Sequence, residues 1–374
     1  MIRAWKYRIY PSKNQQKDLE RYLINCKNLW NSLLNYTKLY YKNTLKFPSR
    51  KKLYSLTKET CLFSQVAQNV ADRLSKSLHL MTMKNKTGQN AGFPRFKQIE
   101  RFKSLTYPQF GFKLKEKLVL SKIGNVSIKK HRELQGKIKT LTIKKCSSGK
   151  WYAIFTTEIE KIPKKKKGSI VGVDLGIEHF GYLSDGAIIE NPRNLKQAEQ
   201  KLKQRHRQLS SKKKGSKNRK KARLKVAVTY EKLTNKRTDF LHKISRKLAD
   251  KYSFIALENL NIKGMTRAFL AKSVLDCSWA AFLNMLHYKA EEAGCEVVLV
   301  NPAQTTQKCS NCGLIQKKSL AERKHSCACG MSMHRDLNAA INILKRATLG
   351  HRESNAWGED GNSFLSEPRN SSLV

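Results

Sequence analysis

The sequence predicts an α/β protein with more than one domain. At 374 residues the chain is long enough for two or three domains. Short β-like runs recur between Leu105 and Glu160, and two helical patterns precede them. Farther along, apolar runs typical of buried strands alternate with helical patterns, and three of these elements carry an acidic residue near one end.

The N-terminal half predicts a small antiparallel β-domain with a helical insertion. Residues 2–10 alternate as in a strand, and helical patterns with apolar stripes follow from Leu19 to Leu34 and from Val66 to Met81. The later β-like runs are separated by glycine-containing turns. We therefore predict a β-domain at residues 1–10 and 101–163, a helical insertion at 11–100 and a basic linker at 164–168.

A basic loop lies at residues 86–97. Its sequence, KTGQNAGFPRFK, places aromatic residues among cations. Arg95 and Lys97 are suited to contact phosphates, while Phe93 or Phe96 would stack on a base. An ordinary loop pinned by a phenylalanine is equally compatible with this composition, so the sequence leaves the choice open.

Asp174 lies within the apolar run SIVGVDLGI, residues 169–177, which predicts a buried strand. A buried carboxylate is costly unless it is paired or binds a metal, and Gly176 leaves room for a ligand or backbone. An aspartate that caps the turn after the strand is the alternative. Two further acids favour the metal: Glu258 ends the run YSFIALENL, and Asp336 lies in the first turn of the helical pattern MHRDLNAAINIL.

Carboxylates at the ends of separate apolar elements are typical of proteins that hold two divalent ions about 3.5–4 Å apart for in-line attack on a phosphodiester. Mg²⁺ suits this role because it binds a few carboxylates together with phosphate oxygens. We therefore expect Asp174, Glu258 and Asp336 to be catalytic and to bind two Mg²⁺ ions.

The stretch from Lys196 to Lys225 holds 14 lysines or arginines and one acid, and it predicts two basic helices joined by a turn at Gly215-Ser216. Like charges repel, so a run with almost no compensating acid favours contact with nucleic-acid phosphates over a merely solvated helix face. The candidate contacts are Lys212, Lys213, Lys214, Arg219, Lys220 and Arg223.

Four cysteines form two close pairs, Cys309-x-x-Cys312 and Cys327-x-Cys329. Such pairs predict one tetrahedral Zn²⁺ site, which is structural because four thiolates leave no open position for chemistry. His325 could replace a cysteine, but four thiolates make it unnecessary. The other five cysteines lie mostly in apolar settings and are expected in the core.

The formal net charge is +47. A basic excess this large predicts a polyanionic partner, most commonly nucleic acid, with an anionic membrane as the rival. The sequence holds no run of about 18 apolar residues, and no signal-peptide core follows Met1. We therefore expect a cytoplasmic protein, associated with the nucleoid when bound to DNA, and no membrane partner.

Motifs along nearly the whole chain resemble those of one family. They are VGVDLGI around Asp174, IALENLNIKGM around Glu258, the CSNCG and CACG pairs, HRDLNAAINIL around Asp336, and the segments YRIYPSKNQQ, GFPRFK and TDFLHKIS. Together they resemble TnpB, the family of transposon-encoded RNA-guided nucleases related to type V CRISPR effectors. At the position of His334 many members of the family carry an acid. We expect this difference to alter local ion or phosphate contacts without affecting catalysis.

The resemblance implies an RNase H-like (RuvC) nuclease domain with an inserted zinc ribbon. The N-terminal β-domain would be a β-barrel wedge domain, and its insertion a helical recognition domain. Asp174, Glu258 and Asp336 would be the metal-binding acids. The implied boundaries are residues 169–301 and 331–350 for the nuclease and 302–330 for the ribbon, followed by a polar flexible tail at 351–374.

The resemblance also implies a Mg²⁺-dependent endonuclease that cuts DNA next to a short transposon-adjacent motif. Its partners would be a guide RNA from the transposon end and double-stranded target DNA, and we expect a monomer. The alternatives are an RNA-guided DNA-binding repressor with little cleavage and a DNA transposase. The intact set of three acids disfavours the repressor, and the zinc ribbon before the third acid, with the full-length match, disfavours the transposase.

Overall fold

A computed structural model describes residues 2–160, 167–265, 271–317, 319 and 322–356, apart from the side chains of residues 263 and 350–356. The chain divides into two compact units. The first comprises residues 1–161 and 208–228, and the second comprises residues 162–207 and 229–374. Among the helices in the described ranges, none has both the length and the apolar character that crossing a membrane requires.

The first unit contains a seven-stranded antiparallel sheet and the helices that cover it. In chain order its elements are β1 (Ile2–Tyr10), α1 (Lys13–Thr44), α2 (Arg50–Ser55), α3 (Ser64–Lys86), a 3₁₀ turn (Ile99–Arg101), β2 (Ser104–Tyr107), β3 (Phe112–Leu114), β4 (Leu118–Leu120), β5 (Gly124–Lys129), β6 (Lys137–Lys145) and β7 (Trp151–Glu158). The strand order is β2-β6-β7-β1-β5-β4-β3.

Strand β1 lies in the middle of this sheet, between β7 and β5. Trp5, Tyr7 and Ile9 alternate with more exposed residues and face the core, as the pattern predicts. The rings of Tyr107 and Phe112, on the two edge strands, lie 6.3 Å apart. The sheet therefore curls until it is nearly closed, and the strand predicted at residues 2–10 is confirmed in its centre.

Helices α1 and α3 complete the core of the first unit. The hydroxyl of Ser12 accepts the backbone N–H of Gln15, and the Gln15 side chain accepts the backbone N–H of Ser12, a capping box that fixes the start of α1. The buried residues of both helices share one core with the strands. Both helical predictions are thus confirmed, and their apolar stripes are core.

The second unit contains a five-stranded mixed sheet. Its elements are β8 (Ile170–Leu175), β9 (His179–Leu183), β10 (Ile188–Glu190), α4 (Asn194–Ser210), α5 (Lys217–Lys251), β11 (Phe254–Glu258), α6 (Ile262–Met265), α7 (Ala271–Cys277), α8 (Trp279–Ala293), β12 (Glu296–Val300), β13 (Lys324–Ser326), β14 (Ser332–His334) and α9 (Arg335–Ala356). The tips of α4 and α5, residues 208–228, belong to the first unit.

The order of this sheet is β10-β9-β8-β11-β12. Strands β8, β11 and β12 are parallel, whereas β9 and β10 run antiparallel. One face packs through Val171 and Ile255 against Trp279 and Phe282 of α8, and the other face packs against α9. The apolar runs predicted as strands before and around Asp174 and Glu258 are confirmed as β8 and β11.

Most of the predicted linker and most of the predicted tail lie outside the described residues. Only residues 167 and 168 of the predicted linker are described, and of the predicted tail only residues 351–356 are. Helix α9 continues through those six residues to Ala356. The chain from 345 onward still contains residues that favour helix, including Ala347, which packs in the core.

Candidate active site and four-cysteine cluster

Asp174 and Glu258 lie side by side at the carboxyl ends of two parallel strands. In the β8–β11 pairing Val173 is opposite Leu257, and Asp174 and Glu258 are the next residue on each strand. The carboxyl ends of parallel strands meet at one edge of a sheet, so the register alone brings the two side chains together.

Alternation along the strands decides which face these carboxylates occupy. Gly172 and Asp174 share one face of β8, as Ala256 and Glu258 share one face of β11. A Cβ atom added to Gly172 would lie 2.1 Å from the carbonyl oxygen of Ala340 in α9, and Ala256 packs in the same cluster as α9. Both acids therefore lie on the face that α9 covers, and this close packing requires glycine at position 172.

Asp336 reaches the same place from the helix. It lies in the first turn of α9, four residues before Ala340 and so on the same helical stripe. Its side chain is 13% exposed. The structure thus brings together the three acids that the sequence predicts as catalytic.

Burial disfavours the ionised forms of Asp174 and Glu258. Burial raises the pKa of Asp174 well above its usual value, and the charges of Glu258 and Asp336 raise it further, while Arg335 opposes this. Burial also raises the pKa of Glu258, against the effects of Thr305 and Arg346. A bound cation would relieve this repulsion, so the chemistry of the site fits a divalent metal.

Thr305, which the sequence did not reveal, holds Glu258 in place. Its hydroxyl donates a short hydrogen bond to Oε1 of Glu258, and its carbonyl accepts a bond of 2.9 Å from Nδ2 of Asn342 in α9. Thr305 lies in the loop after β12, the parallel neighbour of β11. Its position at the same sheet edge is the signal that could have identified it.

Two arginines lie beside Asp336. Nε of Arg335 is 3.1 Å from Oδ1, and Nη1 of Arg323 is 4.0 Å from Oδ2. Arg323 also pairs with Glu178, at 3.1 Å, and its side chain is 50% exposed. Arg323 precedes β13 and belongs to the segment between the cysteine pairs, where no motif singles it out.

His334 is engaged with neighbouring protein groups. Its ring stacks on Tyr182, with centroids 4.5 Å apart, and its Nδ1 accepts the backbone N–H of Asp336 at 3.3 Å. Tyr182 is paired with Asp174 in the β8–β9 ladder. His334 therefore helps to position the start of α9 beside the acids.

The four predicted cysteine ligands form a compact cluster. Among His, Cys, Asp and Glu side chains in the described ranges, these four thiols form a group that could hold a metal ion, and their sulfur atoms all lie within 4.8 Å of one another. Sγ of Cys309 is 3.7 Å from that of Cys329, and Sγ of Cys312 is 3.5 Å from that of Cys327. Tetrahedral coordination with Zn–S bonds of about 2.3 Å places sulfurs about 3.8 Å apart.

The backbone prepares this cluster for a metal. Gly313 and Gly330 each follow a cysteine pair with φ of 82°, in the left-handed region that glycine adopts without strain. The backbone N–H of Met331 is the main cause that lowers the pKa of Cys329 to about 6. A thiolate is therefore available near neutral pH, and thiolates are the form that binds metal.

The candidate nucleic-acid contacts divide into two groups. Lys212, Lys213, Lys214, Lys220 and Arg223 are exposed around the α4–α5 turn, and Arg95 and Lys97 lie in the loop after α3. Arg219 differs, because its Nη1 donates to the carbonyl oxygens of Leu209 and Lys212 at 2.9 and 2.8 Å. Its guanidinium closes the turn after α4.

Comparisons with known proteins assign the chain to a family. A relative from Streptomyces pristinaespiralis, named "Putative RNA-guided DNA endonuclease", is 31% identical over 355 residues, which cover 91% of this chain and 88% of the relative. A "TnpB-like protein L770" of Acanthamoeba polyphaga mimivirus is 25% identical over 92% of this chain and 73% of its own length. The chain belongs to the TnpB family. The InsQ protein of Escherichia coli K12, "Putative RNA-guided DNA endonuclease InsQ", is 29% identical to this TnpB-family chain, covering 92% of each.

Family models match three segments of this TnpB-family chain. Residues 154–268, with Asp174 and Glu258, match a model described as "Probable transposase". Residues 279–343, with the four cysteines and Asp336, match a "Cas12f1-like, TNB domain". Residues 1–46 match a "Helix-turn-helix domain", although residues 2–46 here form β1 and the single long helix α1.

Solved structures share the fold of the TnpB-family chain. A cryo-EM structure of a Cas12f1–sgRNA–target DNA complex superposes with a TM-score of 0.58 at 15% identity, covering 92% of this chain and 98% of the other. The mini-RNA-guided endonuclease CRISPR-Cas_phi3 gives a TM-score of 0.51 at 12% identity, covering 94% and 93%. The multidomain α/β architecture predicted from the sequence is confirmed at this level.

Proposed function

We propose that this chain is a transposon-encoded, RNA-guided DNA endonuclease that cuts next to a short transposon-adjacent motif. The observation that carries the proposal is the convergence of Asp174, Glu258 and Asp336 at one sheet edge, where their charges repel one another. The names of the relatives from Streptomyces and Escherichia point to the same activity. Base pairing with the RNA would read the target, and the protein would read the adjacent motif.

Two Mg²⁺ ions suit the acidic site. Its ligands would be carboxylate oxygens, which Mg²⁺ binds together with phosphate oxygens of the substrate. When bound, the ions would activate the attacking water and stabilise the charge on the leaving oxygen. The acids themselves would be held by rigid elements, since Asp174 and Glu258 end buried strands and Asp336 begins α9.

The neighbouring side chains would orient this site. Thr305 fixes one oxygen of Glu258 through its hydrogen bond, and the other oxygen would then be available to a metal ion. Arg323, which is half-exposed and lies beside Asp336, would contact the scissile phosphate and hold it against the acids. The proposed site thus contains a positively charged side chain, Arg323, in addition to the acids predicted from the sequence.

The remaining assignments follow from the same proposal. One structural Zn²⁺ would bind Cys309, Cys312, Cys327 and Cys329. The nearly closed sheet would be the wedge domain and α1 to α3 the recognition insertion. The five-stranded sheet with α9 would be the nuclease domain. Guide RNA and target DNA would be held largely through phosphate contacts, consistent with the net charge of +47.

The proposal is tested by purifying the protein from cells that carry its transposon and sequencing the bound RNA. The complex is then given linear DNA containing a match to the guide segment beside a randomised flank. Mg²⁺-dependent cuts beside one short flanking sequence are the expected result. Binding without cuts would support the repressor instead, and strand joining on transposon-end DNA would support the transposase.

Replacing Thr305 with valine tests the orientation of Glu258. The Thr305 hydrogen bond lowers the pKa of Glu258, so its loss should raise that pKa and move the acidic limb of the cleavage profile to higher pH. The Mg²⁺ concentration for half-maximal cleavage should rise about tenfold, as for other groups that orient metal ligands. The control is Thr44→Val, whose hydroxyl bonds only within α1 and the turn after it. An unchanged acidic limb would contradict the role.

Replacing Cys327 with serine tests the zinc site. Plasma mass spectrometry of the purified wild type should find one zinc per chain, because four thiolates in this geometry select zinc, and the variant should retain almost none. Cys61→Ser is the matched control, since Cys61, which the sequence predicts in the core, is instead an exposed free cysteine outside the cluster. If the two variants contained equal amounts of zinc, the assignment of the four cysteines as zinc ligands would be wrong.

A further inference from the structure

The first unit contains an open cleft between α1, α3 and the loop that follows α3. Its volume is about 420 Å³. Four cations line it: Lys84, Arg95, Lys97 and Arg101. None of its lining residues, all of which lie in the described ranges, is acidic. We call it the Phe96 cleft, after the aromatic residue among these cations.

Hydrogen bonds to the backbone of residues 95 and 97 hold this part of the loop. The side-chain amide of Asn31 donates to the carbonyl of Lys97 at 3.0 Å and accepts its N–H at 2.8 Å. Nε1 of Trp30 donates to the carbonyl of Arg95 at 3.4 Å. A rigid backbone of this kind presents Arg95, Phe96 and Lys97 in fixed positions.

The two phenylalanines of the loop have different roles. Phe93 packs edge-on against Tyr41 and Phe47, with centroids 5.4 and 5.8 Å apart, so Phe93 is the residue that pins the loop. Phe96 is 50% exposed, and the ammonium of Lys38 lies 4.7 Å from its ring centre. Phe96 is therefore a partly covered aromatic surface at the mouth of a basic cleft.

Among the described residues, no acidic side chain lines the cleft to balance its cations. Lys97 lies over the Trp30 ring, 4.6 Å from its centre. Burial lowers the pKa of Lys97, and the nearby Arg73 lowers it further. An anion in the cleft would relieve this repulsion, which no lining residue does.

We propose that the Phe96 cleft binds a single-stranded segment of nucleic acid, with phosphates on Arg95, Lys97 and Arg101 and a base against Phe96. Cations that follow a backbone, beside an aromatic ring for a base, are the usual means of holding a single strand. The inference rests on the proposed function only for the identity of the strand, which is either the guide RNA or the target DNA.

Photocrosslinking of the full-length protein in complex with guide RNA and target DNA tests the proposal. All samples carry Asp174→Asn, so that DNA stays intact. In one arm iodouracil replaces uracils of the guide RNA, and in the other it replaces thymines of the target DNA; crosslinked residues are mapped by mass spectrometry. A crosslink at Phe96 in either arm supports the cleft, and the arm in which it forms identifies the strand.

Matched variants distinguish the contribution of base stacking on Phe96 from that of the cations Arg95 and Lys97. Arg95→Gln with Lys97→Gln should reduce the crosslink at Phe96 about tenfold or more, because each lost phosphate contact weakens local binding. Phe96→Tyr should keep the crosslink, now at the tyrosine. Lys243→Ala, which removes an exposed cation already paired with Asp239, should leave it unchanged.

The absence of a crosslink at Phe96 in both arms would overturn the proposal, as would a crosslink yield that Arg95→Gln with Lys97→Gln leaves unchanged. Both outcomes are independent of DNA cleavage. Wild-type protein is assayed for cleavage in parallel. If it cuts DNA while the Asp174→Asn complex gives no crosslink at Phe96, the cleft alone is disproved. If the crosslink forms but the wild-type protein never cuts, only the nuclease is disproved.

Discussion

Replacement of Asp174 by asparagine is expected to reduce DNA cleavage about a thousandfold or more, a loss of about 4 kcal/mol of transition-state stabilisation. Asparagine keeps the shape of the side chain but removes the charge that, with Glu258 and Asp336, would hold the metal ions. Affinity for the guide RNA should stay within about twofold, because phosphate contacts made elsewhere dominate such binding. Cleavage kinetics and RNA filter binding provide the two measurements.

Asp239→Asn is the matched control. It makes the same chemical change on an exposed carboxylate of α5 that pairs with Lys243, and surface pairs of this kind contribute little. Cleavage by the control should therefore equal that of the wild type. If Asp174→Asn protein cut at the control's rate, the assignment of the active site would be wrong.

The Asp174→Asn variant also tests how the stability of the metal-free protein depends on pH. The folded-state pKa of Asp174 is raised above that of the unfolded chain, which is about 3.9. The stability that Asp174 contributes is thus present below the unfolded pKa and is lost as pH rises through the folded pKa. In thermal melts without Mg²⁺, Asp174→Asn should lose less stability than the wild type as the pH rises from the unfolded-state pKa to the folded-state pKa. Added Mg²⁺ should stabilise the wild type more than it stabilises Asp174→Asn.

Replacement of Gly172 by alanine is expected to destabilise the second unit by about 3 kcal/mol or more. The new methyl group would lie 2.1 Å from the carbonyl oxygen of Ala340 and 2.8 Å from the backbone nitrogen of Leu344. Neither atom can move unless α9 moves, so Asp336 would shift from the other acids and cleavage would fall as well. Denaturant unfolding and cleavage assays measure the two effects.

Gly168→Ala is the control for this substitution. Its new methyl would lie 3.7 Å from Cβ of Ser253, an ordinary contact, so stability should change little. Equal stability of the two variants would show that α9 does not pack on β8 as described.

The sequence predicted the three acids because each lies near one end of an element with a strong apolar pattern. It did not predict that the closest backbone packing is at Gly172, against α9, and not at Gly176. Both glycines neighbour Asp174, but β8 ends at Leu175, so Gly176 lies beyond the strand. A Cβ atom added there would meet the carbonyl oxygen of His179 instead of α9, and where a strand ends is not fixed by its apolar pattern.

Thr305 and Arg323 were missed for a related reason. Neither lies in a periodic element, and each acts on an acid distant in sequence, Thr305 on Glu258 and Arg323 on Asp336. Such pairings come from tertiary packing and leave no local pattern. In contrast, the four cysteines were predictable because each close pair of ligands is local.

The central position of β1 has a consequence for folding kinetics. Tyr7 pairs with Ala153, and Arg8 with Lys129 as well as Tyr152, so a strand synthesised early stays unpaired until much later residues leave the ribosome. Folding of the first unit must then wait for these long-range contacts, and sheets dominated by such contacts form slowly. During synthesis the apolar side of this strand is exposed to aggregation, which makes the nascent chain a client for chaperones.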